Sequence, residues 1–404
     1  MHHMERRRFV KGVALGALAS SVLGENGLLS SGRAQAQGAT SRIGTWPNRR
    51  LLDLLRVEHP IIQAPMGGHV GADMVVAVAE AGGLGSLPVA RSTANQLRED
   101  VAKIRSRTRK PLNLNFLCHA VPKKNEASED AWRKRLAPYY AEFGIGAPGA
   151  SAILGPFNAE MCDAVIEAKP QIVSFHFGLP DPSLVKRIKA AGCVVLSSAT
   201  TVAEARWLED HGADAVIAQG AEAGGHRGMF LTTEAASQVG TLALVPQIVD
   251  AVKIPVIAAG GIADGRGIAA AFALGAAGVQ CGTAYLFCPE ATVSPVHRAS
   301  LKSAREDSTA ISTIFTGRPA RSIVNRFMRE LGPLPESVPD FPLASAAVRP
   351  LALKAEAKGS PDFTQLYSGQ AVTLCRELPA RDLTLKLAAQ ALEKLSTLGR
   401  ASSG

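Results

Sequence analysis

Short apolar runs alternate with longer amphipathic stretches along most of the chain after residue 50. Side chains alternate between two faces in a strand and repeat every third or fourth residue in a helix, which separates the two kinds of segment. Eight apolar runs predict strands, at residues 61–65, 83–87, 111–117, 171–177, 193–199, 215–220, 254–260 and 278–283. The stretches between them predict helices, among them 72–81, 93–106, 201–211 and 264–275. Thr201, with Glu204 three residues later, predicts a capping box at the start of the third of these helices.

Eight strands alternating with helices predict an α/β fold, a closed parallel (β/α)8 TIM barrel. A doubly wound open sheet is the competing arrangement, but no G-x-G-x-x-G motif opens the first helix. The long connection over residues 118–170 predicts an insertion of extra helices after strand 3, including the solvated helix KKNEASEDAWRKR. We predict the barrel over residues 51–330. A C-terminal helical extension over residues 331–404 is expected to complete the barrel and pack on it, with a proline-rich loop at 333–342 and a helix from Leu378.

The fourth predicted strand, QIVSFHF, ends in a histidine. Alternation places one set of side chains, Ile172, Ser174 and His176, opposite an apolar set, Val173, Phe175 and Phe177. A lone histidine in such a run is more often a core residue satisfied by a backbone hydrogen bond. Active sites of TIM barrels, however, form at the C-terminal ends of the strands. Asn115 and Gln219 end two other strands, so three polar side chains on one rim predict a site there.

Glycine-rich turns follow the last two predicted strands. Gly260-Gly261 and Gly282-Thr283 leave backbone N–H groups uncovered by side chains, and a helix is predicted to begin near Asp264 behind them. One such loop is better explained as a tight turn, whereas two neighbouring loops favour a phosphate-binding site. The sequence shows no metal-ligand cluster and no pair of acid–base carboxylates. A phosphorylated cofactor is therefore predicted to carry out the chemistry, and FMN fits this description.

Composition excludes some classes of function. Hydrophobic residues make up 47% of the 404 residues, which is sufficient for a large core and argues against overall disorder. The formal charge of +9 is not arranged in basic blocks interleaved with aromatic residues, so binding to nucleic acid is not expected. The six cysteines show neither CxxC pairing nor metal-ligand spacing, and we predict mostly free thiols in the core.

The N-terminus predicts an export signal. A basic start, RRRFVK at residues 6–11, is followed by a short apolar run and by the cleavage pattern Ala34-Gln35-Ala36, in the order of a twin-arginine signal peptide. We expect residues 1–36 to be this signal peptide and residues 37–50 a linker. The mature protein is then expected in the periplasm after cleavage near Ala36, with the twin-arginine translocase as its partner during export. An uncleaved N-terminal membrane anchor is the alternative.

Several stretches, in chain order, resemble the nitronate monooxygenase family: IIQAPMGG, PLNLNFLCH, VSFHFGLP, AQGAEAGGHRG, VIAAGGIADG and QCGTAYL. They cover about residues 50–330, and LYSGQ at 366–370 adds a last piece. AAGGI and CGT also occur in other FMN barrels, whereas QGxEAGGH together with SFHFG is more specific. The resemblance implies a TIM barrel carrying non-covalent FMN. It also implies oxidation of alkyl nitronates, and of nitroalkanes as further substrates, by O2 to a carbonyl compound and nitrite.

The resemblance also implies roles for individual residues. His176 is the catalytic histidine, either as a base for the α-proton of a neutral nitroalkane or as a cation that holds the nitro oxygens. His226 is expected to shape the site. The residues implied to contact the cofactor are Ala64, Pro65, Met66, Gly67, Asn115, Gln219, Gly224, Gly225, Gly260, Gly261, Gly282, Thr283 and, from the late Ser368-Gly369-Gln370 motif, Gln370.

Two other functions stay open from the sequence. The same barrel could use FMN and NAD(P)H to reduce an enone, a quinone or an enoyl thioester, and consumption of NAD(P)H without nitrite release would favour this reading. The third hypothesis is a non-catalytic exported barrel that binds a phosphorylated ligand. A purified protein that is colourless and takes up no FMN would support it. The physiological substrate and the choice between monomer and homodimer are not determined by the sequence.

Overall fold

The computed structural model describes residues 45–123, 125–146 and 155–401, without the side chains of Arg400 and Ala401. The predicted signal peptide, its cleavage site and most of the linker lie outside the described residues. The export prediction is therefore not tested by the structure.

The strands of the described residues form two sheets. In chain order they are β1 (Ile61–Gln63), β2 (Gly85–Pro88), β3 (Leu112–Leu117), β4 (Ile172–His176), β5 (Val194–Ala199), β6 (Ala215–Gln219), β7 (Gly225–His226), β8 (Val256–Ala259), β9 (Gly278–Cys281), β10 (Thr309–Ser312) and β11 (Ala320–Ile323). Eight of them pair in parallel in the order β1-β9-β8-β6-β5-β4-β3-β2. A parallel bridge between Ile62 and Leu84 joins the first and last members of this sheet. The ring confirms the predicted TIM barrel, and its eight strands coincide with the eight predicted ones.

The helices of the described residues surround this barrel or extend from it. They are α1 (Arg50–Leu55), α2 (Ala72–Glu80), α3 (Ala94–Arg105), α4 (Glu126–Phe143), α5 (Ala159–Ala168), α6 (Pro182–Ala190), α7 (Val202–Asp210), α8 (Thr241–Ala251), α9 (Gly265–Ala273), α10 (Thr283–Leu286), α11 (Pro295–Ser303), α12 (Arg326–Leu331), α13 (Ala344–Ala357) and α14 (Ala380–Ala401). The four helices named from the sequence correspond to α2, α3, α7 and α9. Their predicted ends fall on or beside the observed cap residues.

The capping box predicted for α7 is only half correct. Thr201 caps the helix by accepting a hydrogen bond from the Glu204 amide at 3.1 Å. The Glu204 carboxylate does not return to the Thr201 amide, because it is fully buried and bonds four other donors. These donors are the amide and hydroxyl of Thr200 and the amides of Phe230 and Leu231. Glu204 therefore anchors the segment after β7, and a reciprocal box is found instead at α3, between Thr93 and Gln96.

Side chains fill the interior of the barrel at its N-terminal end. The inward-facing residues include Ile172, Leu196, Ile217 and Ile257, all at most 3% exposed. Leu51 of α1 packs against Gly278, the first residue of β9, so α1 covers the end where the strands begin. Because side chains fill the barrel at the N-terminal ends of its strands, space for a ligand is left at the C-terminal ends.

A second hydrophobic core lies outside the barrel. It is formed by α4, which is the predicted insertion, together with α12, α13 and nearby residues, and its large members are Trp132, Tyr139, Phe327, Leu351 and Phe363. The charged stretch predicted as a solvated helix is thus part of α4, whose Trp132 is only 1% exposed. The insertion after strand 3 is confirmed, and its buried face packs on the C-terminal part of the chain.

A small antiparallel sheet that was not predicted joins the turn after β6 to the segment after α11. Its strands lie in the order β10-β11-β7, with Ala320 opposite His226 and Arg321 opposite Gly225. The last helix, α14, packs on α9 and α2, and Gly265 allows the close approach of α9 to Gln390. The boundary placed at residue 330 stays a prediction.

Other expectations from composition can be compared with the structure. All six cysteines are unpaired and five are buried, which confirms free thiols in the core. Among the described residues, no group of His, Cys, Asp or Glu side chains is arranged to hold a metal ion. No helix of the same residues combines the length and the apolar composition needed to cross a membrane.

Candidate active site

A cavity of about 410 Å³ opens at the C-terminal ends of the barrel strands. Its wall contains His176 and all but one of the residues predicted to contact a cofactor, namely Ala64, Pro65, Met66, Gly67, Asn115, Gln219, Gly224, Gly225, Gly260, Gly261, Gly282 and Thr283. Gln370 is the exception, because its side chain is exposed and does not line the cavity. Its backbone amide donates to the carbonyl of Glu222 at 3.0 Å, and this contact brings the neighbouring Gly369 to the wall.

The face pattern of β4 is confirmed as far as His176. Ile172 faces the barrel interior, whereas Val173 and Phe175 pack in the outer core under the helices. Phe177 departs from the predicted pattern. Its backbone φ is 73°, so the strand ends before it. Its ring turns towards the cavity side and packs on His226 and Phe341. A positive φ is strained for a phenylalanine, so the surrounding contacts must hold it in this conformation.

His176 is held by both ring nitrogens. Nδ1 lies 2.9 Å from the hydroxyl of Ser198, and Nε2 lies 3.1 Å from the backbone carbonyl of His226. A carbonyl oxygen can only accept, so Nε2 carries a hydrogen in the neutral ring and Nδ1 accepts from Ser198. Burial lowers the pKa of His176 to about 4, and the positive charges of Arg318 and Arg227 act in the same direction. The imidazole is therefore neutral near pH 7.

His226 shapes the site through its backbone as well as its ring. Its carbonyl accepts from His176 and from the Gln219 side chain, while its Nε2 lies 2.9 Å from the Thr316 hydroxyl. Burial lowers the pKa of His226 to about 3, and His176 contributes to this shift. The ring also lies near Tyr367, whose hydroxyl is 3.4 Å from Nδ1.

Hydrogen bonds within the protein fix the two predicted carboxamides. Asn115 donates to the Ser174 hydroxyl at 2.9 Å across the β3–β4 pair. Gln219 accepts from the Gly228 amide at 2.7 Å and donates to the His226 carbonyl at 3.0 Å. These bonds set the orientation of both side chains at the cavity wall before any ligand binds.

A buried arginine that the sequence reasoning missed lies behind Gln219. Arg227 is fully buried and donates to the Gln219 carbonyl at 2.7 Å and to the Gln238 side chain at 2.9 Å. Burial lowers the pKa of Arg227 to about 10, and Arg321 adds to this effect. The guanidinium stays charged near pH 7 and places a positive charge next to the site.

The glycine turns have the backbone conformations that only glycine adopts freely. Gly225, Gly260 and Gly261 have φ of 79°, 113° and 69°. Gly224 approaches Gly369 so closely that an added Cβ would lie 2.6 Å from the Gly369 amide nitrogen. Bare backbone therefore lines this side of the cavity, as predicted for a phosphate-binding site.

The phosphate contact predicted for the α9 N-terminus stays a prediction. The Asp264 carboxylate caps α9 by accepting from the amides of Arg266 at 2.9 Å and Gly267 at 3.4 Å. These two amides therefore have partners within the protein, and the Arg266 side chain pairs with the same carboxylate. Glu222, although it lines the cavity, directs its carboxylate to the amide and hydroxyl of Thr241 at the start of α8.

Buried polar atoms in the cavity wall allow a test of whether a flavin nucleotide fits. Gln280 Oε1, Gln365 Nε2 and His69 Nδ1 have no hydrogen-bond partner among the described residues, and all three side chains line the cavity. Unpaired buried polar atoms are costly, so a bound group with donors and acceptors would stabilise the wall. The unpaired donors and acceptors, the bare glycine turns and the apolar Ala64–Met66 segment fit a flavin nucleotide.

Alternation could have identified two of the wall residues that the sequence reasoning missed. Ser198 follows the inward-facing Leu196 by two positions, and Gln280 lies between Val279 and Cys281 of the outer core. Gln365 gives no comparable signal, because it lies outside regular structure, whereas Tyr367 lies in the LYSGQ stretch that resembles the family.

Comparisons with known proteins agree with this geometry. The nitronate monooxygenase family matches residues 48–390. A nitronate monooxygenase from Pseudomonas aeruginosa is 42% identical over 338 residues, which are 83% of this chain and 96% of that protein. Nitroalkane oxidase from Streptomyces ansochromogenes has a similar crystal structure, with a TM-score of 0.80 at 37% identity, over 86% of this chain and 99% of that one. FabK from Thermotoga maritima is similar with a TM-score of 0.68 at 29% identity, over 88% and 100% of the two chains.

The family match spans the barrel, the insertion and most of the C-terminal part, and so includes every element that lines the cavity. The resemblance noted from the sequence motifs is thereby confirmed, and the chain belongs to the nitronate monooxygenase family.

Proposed function

We propose that the protein uses bound FMN and O2 to oxidise alkyl nitronates, and nitroalkanes as further substrates, to a carbonyl compound and nitrite. Membership of the nitronate monooxygenase family supports this reaction class. The observation that carries the proposal is the neutral His176 imidazole, fixed at the wall of a cavity that fits a flavin nucleotide. The unpaired polar atoms, the bare glycine turns and the apolar segment of the cavity wall support a flavin.

FMN, when bound, would accept electrons from the substrate and pass them to O2. The residues of this chain would bind the cofactor and orient it. The glycine turns would hold the phosphate through backbone N–H groups, and Met66 with its neighbours would pack on the flavin ring. Gln219 and Asn115, held by their own partners, would present polar atoms to the ring.

His176 would act on the substrate as a neutral group. Because burial lowers its pKa to about 4, an imidazolium that holds the nitro oxygens is not the resting form. We propose instead that His176 is the general base for removal of the α-proton from a neutral nitroalkane, which converts it to the nitronate. A nitronate supplied as substrate needs no such step, so the two substrates report on different parts of the reaction.

The first experiment is the visible spectrum of the purified protein, followed by a nitrite assay with ethyl nitronate under air. We expect a flavin spectrum, release of FMN on denaturation, and nitrite formation together with O2 consumption. The variant His176→Asn should keep the flavin and the nitronate reaction but lose most turnover of neutral nitroethane. A colourless protein that takes up no FMN would contradict the proposal and favour a non-catalytic ligand-binding barrel.

A second candidate is FMN-dependent reduction of an enone, a quinone or an enoyl thioester by NAD(P)H. The AAGGI and CGT turns, which also occur in other FMN barrels, keep this candidate open. Steady-state assays separate the two reactions. Consumption of NAD(P)H with a conjugated acceptor and no nitrite from ethyl nitronate would establish the reductase.

We also propose that residues 1–36 direct export through the twin-arginine translocase to the periplasm. The order of Arg6-Arg7, the apolar run and Ala34-Gln35-Ala36 supports this. Fractionation of cells that express the full chain tests it, with Arg6→Lys/Arg7→Lys as the variant that should remain in the cytoplasm. Recovery of uncleaved protein in the membrane fraction would favour the N-terminal anchor. Light scattering of the purified protein would decide between a monomer and a homodimer.

A further inference from the structure

Ser198 shares the cavity wall with His176 and touches its ring. It lies on β5 two positions after Leu196, whose side chain faces the barrel interior, and it is 5% exposed. Its hydroxyl is 2.9 Å from His176 Nδ1. The adjacent Ser197 points the other way and donates to the Gly178 carbonyl at 2.8 Å. Of these two neighbouring serines, only Ser198 lies against the catalytic histidine.

The hydrogen bonds around the ring leave a single basic nitrogen. The His226 carbonyl accepts from His176 Nε2 and from Gln219 Nε2, so both of its acceptor positions are used. Nε2 therefore keeps its hydrogen in the neutral and in the charged ring. Any proton that His176 gains must arrive at Nδ1, and the Ser198 hydroxyl covers this atom.

Close packing holds the serine and the histidine together. A Cβ added at Gly228 would lie 2.9 Å from Ser198 Cβ and 3.0 Å from His176 Cε1. The segment that contains Gly228 is itself fixed, because Phe230 and Leu231 donate to the buried Glu204 carboxylate. This packing opposes movement of the Ser198 side chain away from Nδ1, so a substrate carbon would meet the Ser198 oxygen before it reached Nδ1.

We propose that Ser198 is a second catalytic residue, which relays the substrate proton to His176. The α-carbon–hydrogen bond of a neutral nitroalkane breaks, and its proton passes to Ser198 Oγ while the Ser198 hydroxyl proton passes to His176 Nδ1. The electron pair of the broken bond moves into the nitro group and gives the nitronate. Ser198 ends as a neutral hydroxyl and His176 as an imidazolium, whose charge balances the adjacent nitronate anion. The relay rests on the proposed function.

Ser198→Ala tests the relay with two substrates. Ethyl nitronate needs no deprotonation, so its kcat/KM reports any general disturbance of the site and should fall much less than that for nitroethane. For neutral nitroethane, we expect a loss of about 100-fold or more, the usual size of a general-base contribution. A variant that oxidises nitroethane at the wild-type rate or faster would overturn the relay, because removal of Ser198 uncovers Nδ1 for direct proton transfer.

Ser197→Ala is the matched control, because it removes the same hydroxyl one position earlier on β5. It should change the rates with the two substrates in equal proportion. A selective loss with nitroethane in Ser197→Ala, as large as in Ser198→Ala, would contradict a specific role for Ser198. Flavin content and thermal denaturation of both variants establish that they fold.

Isotope effects on the wild-type protein provide a readout that does not depend on folding of a variant. In the relay two protons move in one step, so α-deuterated nitroethane and D2O should each slow that step, and their effects should multiply. An α-deuterium effect without a D2O effect on the same step would overturn the relay, as would a wild type that oxidises ethyl nitronate but not nitroethane. Failure to oxidise ethyl nitronate would instead contradict the proposed function itself.

Discussion

His176 and Gln219 donate hydrogen bonds to the same oxygen, the backbone carbonyl of His226, at 3.1 and 3.0 Å. The two side chains belong to β4 and β6, which lie on either side of β5 in the barrel. The shared acceptor therefore links the turn after β6 to two strands at the mouth of the barrel. Since β7 also pairs with β11, the same turn connects the barrel to the small antiparallel sheet. The geometry around His176 thus depends on segments that are far apart in the chain.

We predict that Gly228→Ala will impair turnover of nitroethane without removing the flavin. The added Cβ would lie 2.9 Å from Ser198 Cβ and 3.0 Å from His176 Cε1, so one of the two side chains must shift. Misplacement of a catalytic group by about 1 Å costs about 100-fold in rate, and since a smaller shift relieves these contacts, a loss in kcat of up to about 100-fold is expected. Gly71→Ala is the control, since its Cβ would meet no atom of the described part of the chain within 4 Å and its φ is −122°. Equal kinetics of the two variants would contradict the packing argument.

We predict that Gly282→Val will weaken flavin binding. A Cβ at this position would lie 3.6 Å from Ala64 Cβ and 3.8 Å from Met66 Sδ, at the cavity wall, and the φ of −107° suits any residue. The valine methyl groups would occupy space that the cofactor needs, at a cost of about 1–3 kcal/mol in binding free energy. Fluorescence titration of apoprotein with FMN measures the effect. Gly155→Val, whose added Cβ would meet no atom of the described residues within 4 Å, should bind FMN as the wild type does.

We predict that Glu204→Gln will lower the free energy of unfolding by about 1–3 kcal/mol. Each oxygen of the carboxylate accepts two hydrogen bonds. In the glutamine variant the amide nitrogen replaces one oxygen and, as a donor, cannot accept from the two donors that face it. Urea denaturation measures the change. Glu167→Gln should stay within about 0.5 kcal/mol of the wild type, because its bond to Arg98 is solvent-exposed. If Glu204→Gln is as stable as Glu167→Gln, the anchoring role of Glu204 is wrong.

We predict that acid destabilises the protein partly through His297. This side chain is 1% exposed, and burial lowers its pKa from 6.5 to about 4, with further contributions from His69 and Arg298. The unfolded chain takes up a proton as the pH falls through 6.5, whereas the folded protein resists until about 4. The free energy of unfolding should therefore decrease as the pH falls between these values.

The variant His297→Gln should make this decrease shallower by up to about 1.4 kcal/mol per pH unit, the full effect of one proton. Urea denaturation at constant ionic strength, repeated between pH 7 and pH 4, provides the comparison. The slope should not vanish in the variant, because burial also lowers the pKa values of His176 and His226. Parallel curves for the wild type and the variant would show that His297 does not contribute.

The sequence by itself determined the strands of the barrel and the faces they present. Alternation along β3, β4 and β6 placed Asn115, His176 and Gln219 on the inner face, where the structure has them. This succeeds because the direction of a strand side chain is a local property of the backbone and repeats every two residues. The exposed backbone of the turns after β8 and β9 could also be predicted, because glycine has no side chain to cover it.

Only the tertiary structure decided what each of these side chains bonds to. Phe177 does not lie on the predicted face, because a positive φ ends β4 one residue earlier than predicted. The Glu204 carboxylate bonds amides on a distant segment and not the amide of Thr201. Gln365 and Tyr367 joined the wall from the C-terminal part of the chain, where no periodic pattern marks them. Contacts between segments distant in sequence depend on how the whole chain packs. The hydrogen-bond partners of His176 therefore depend on that packing and do not follow from the sequence of β4.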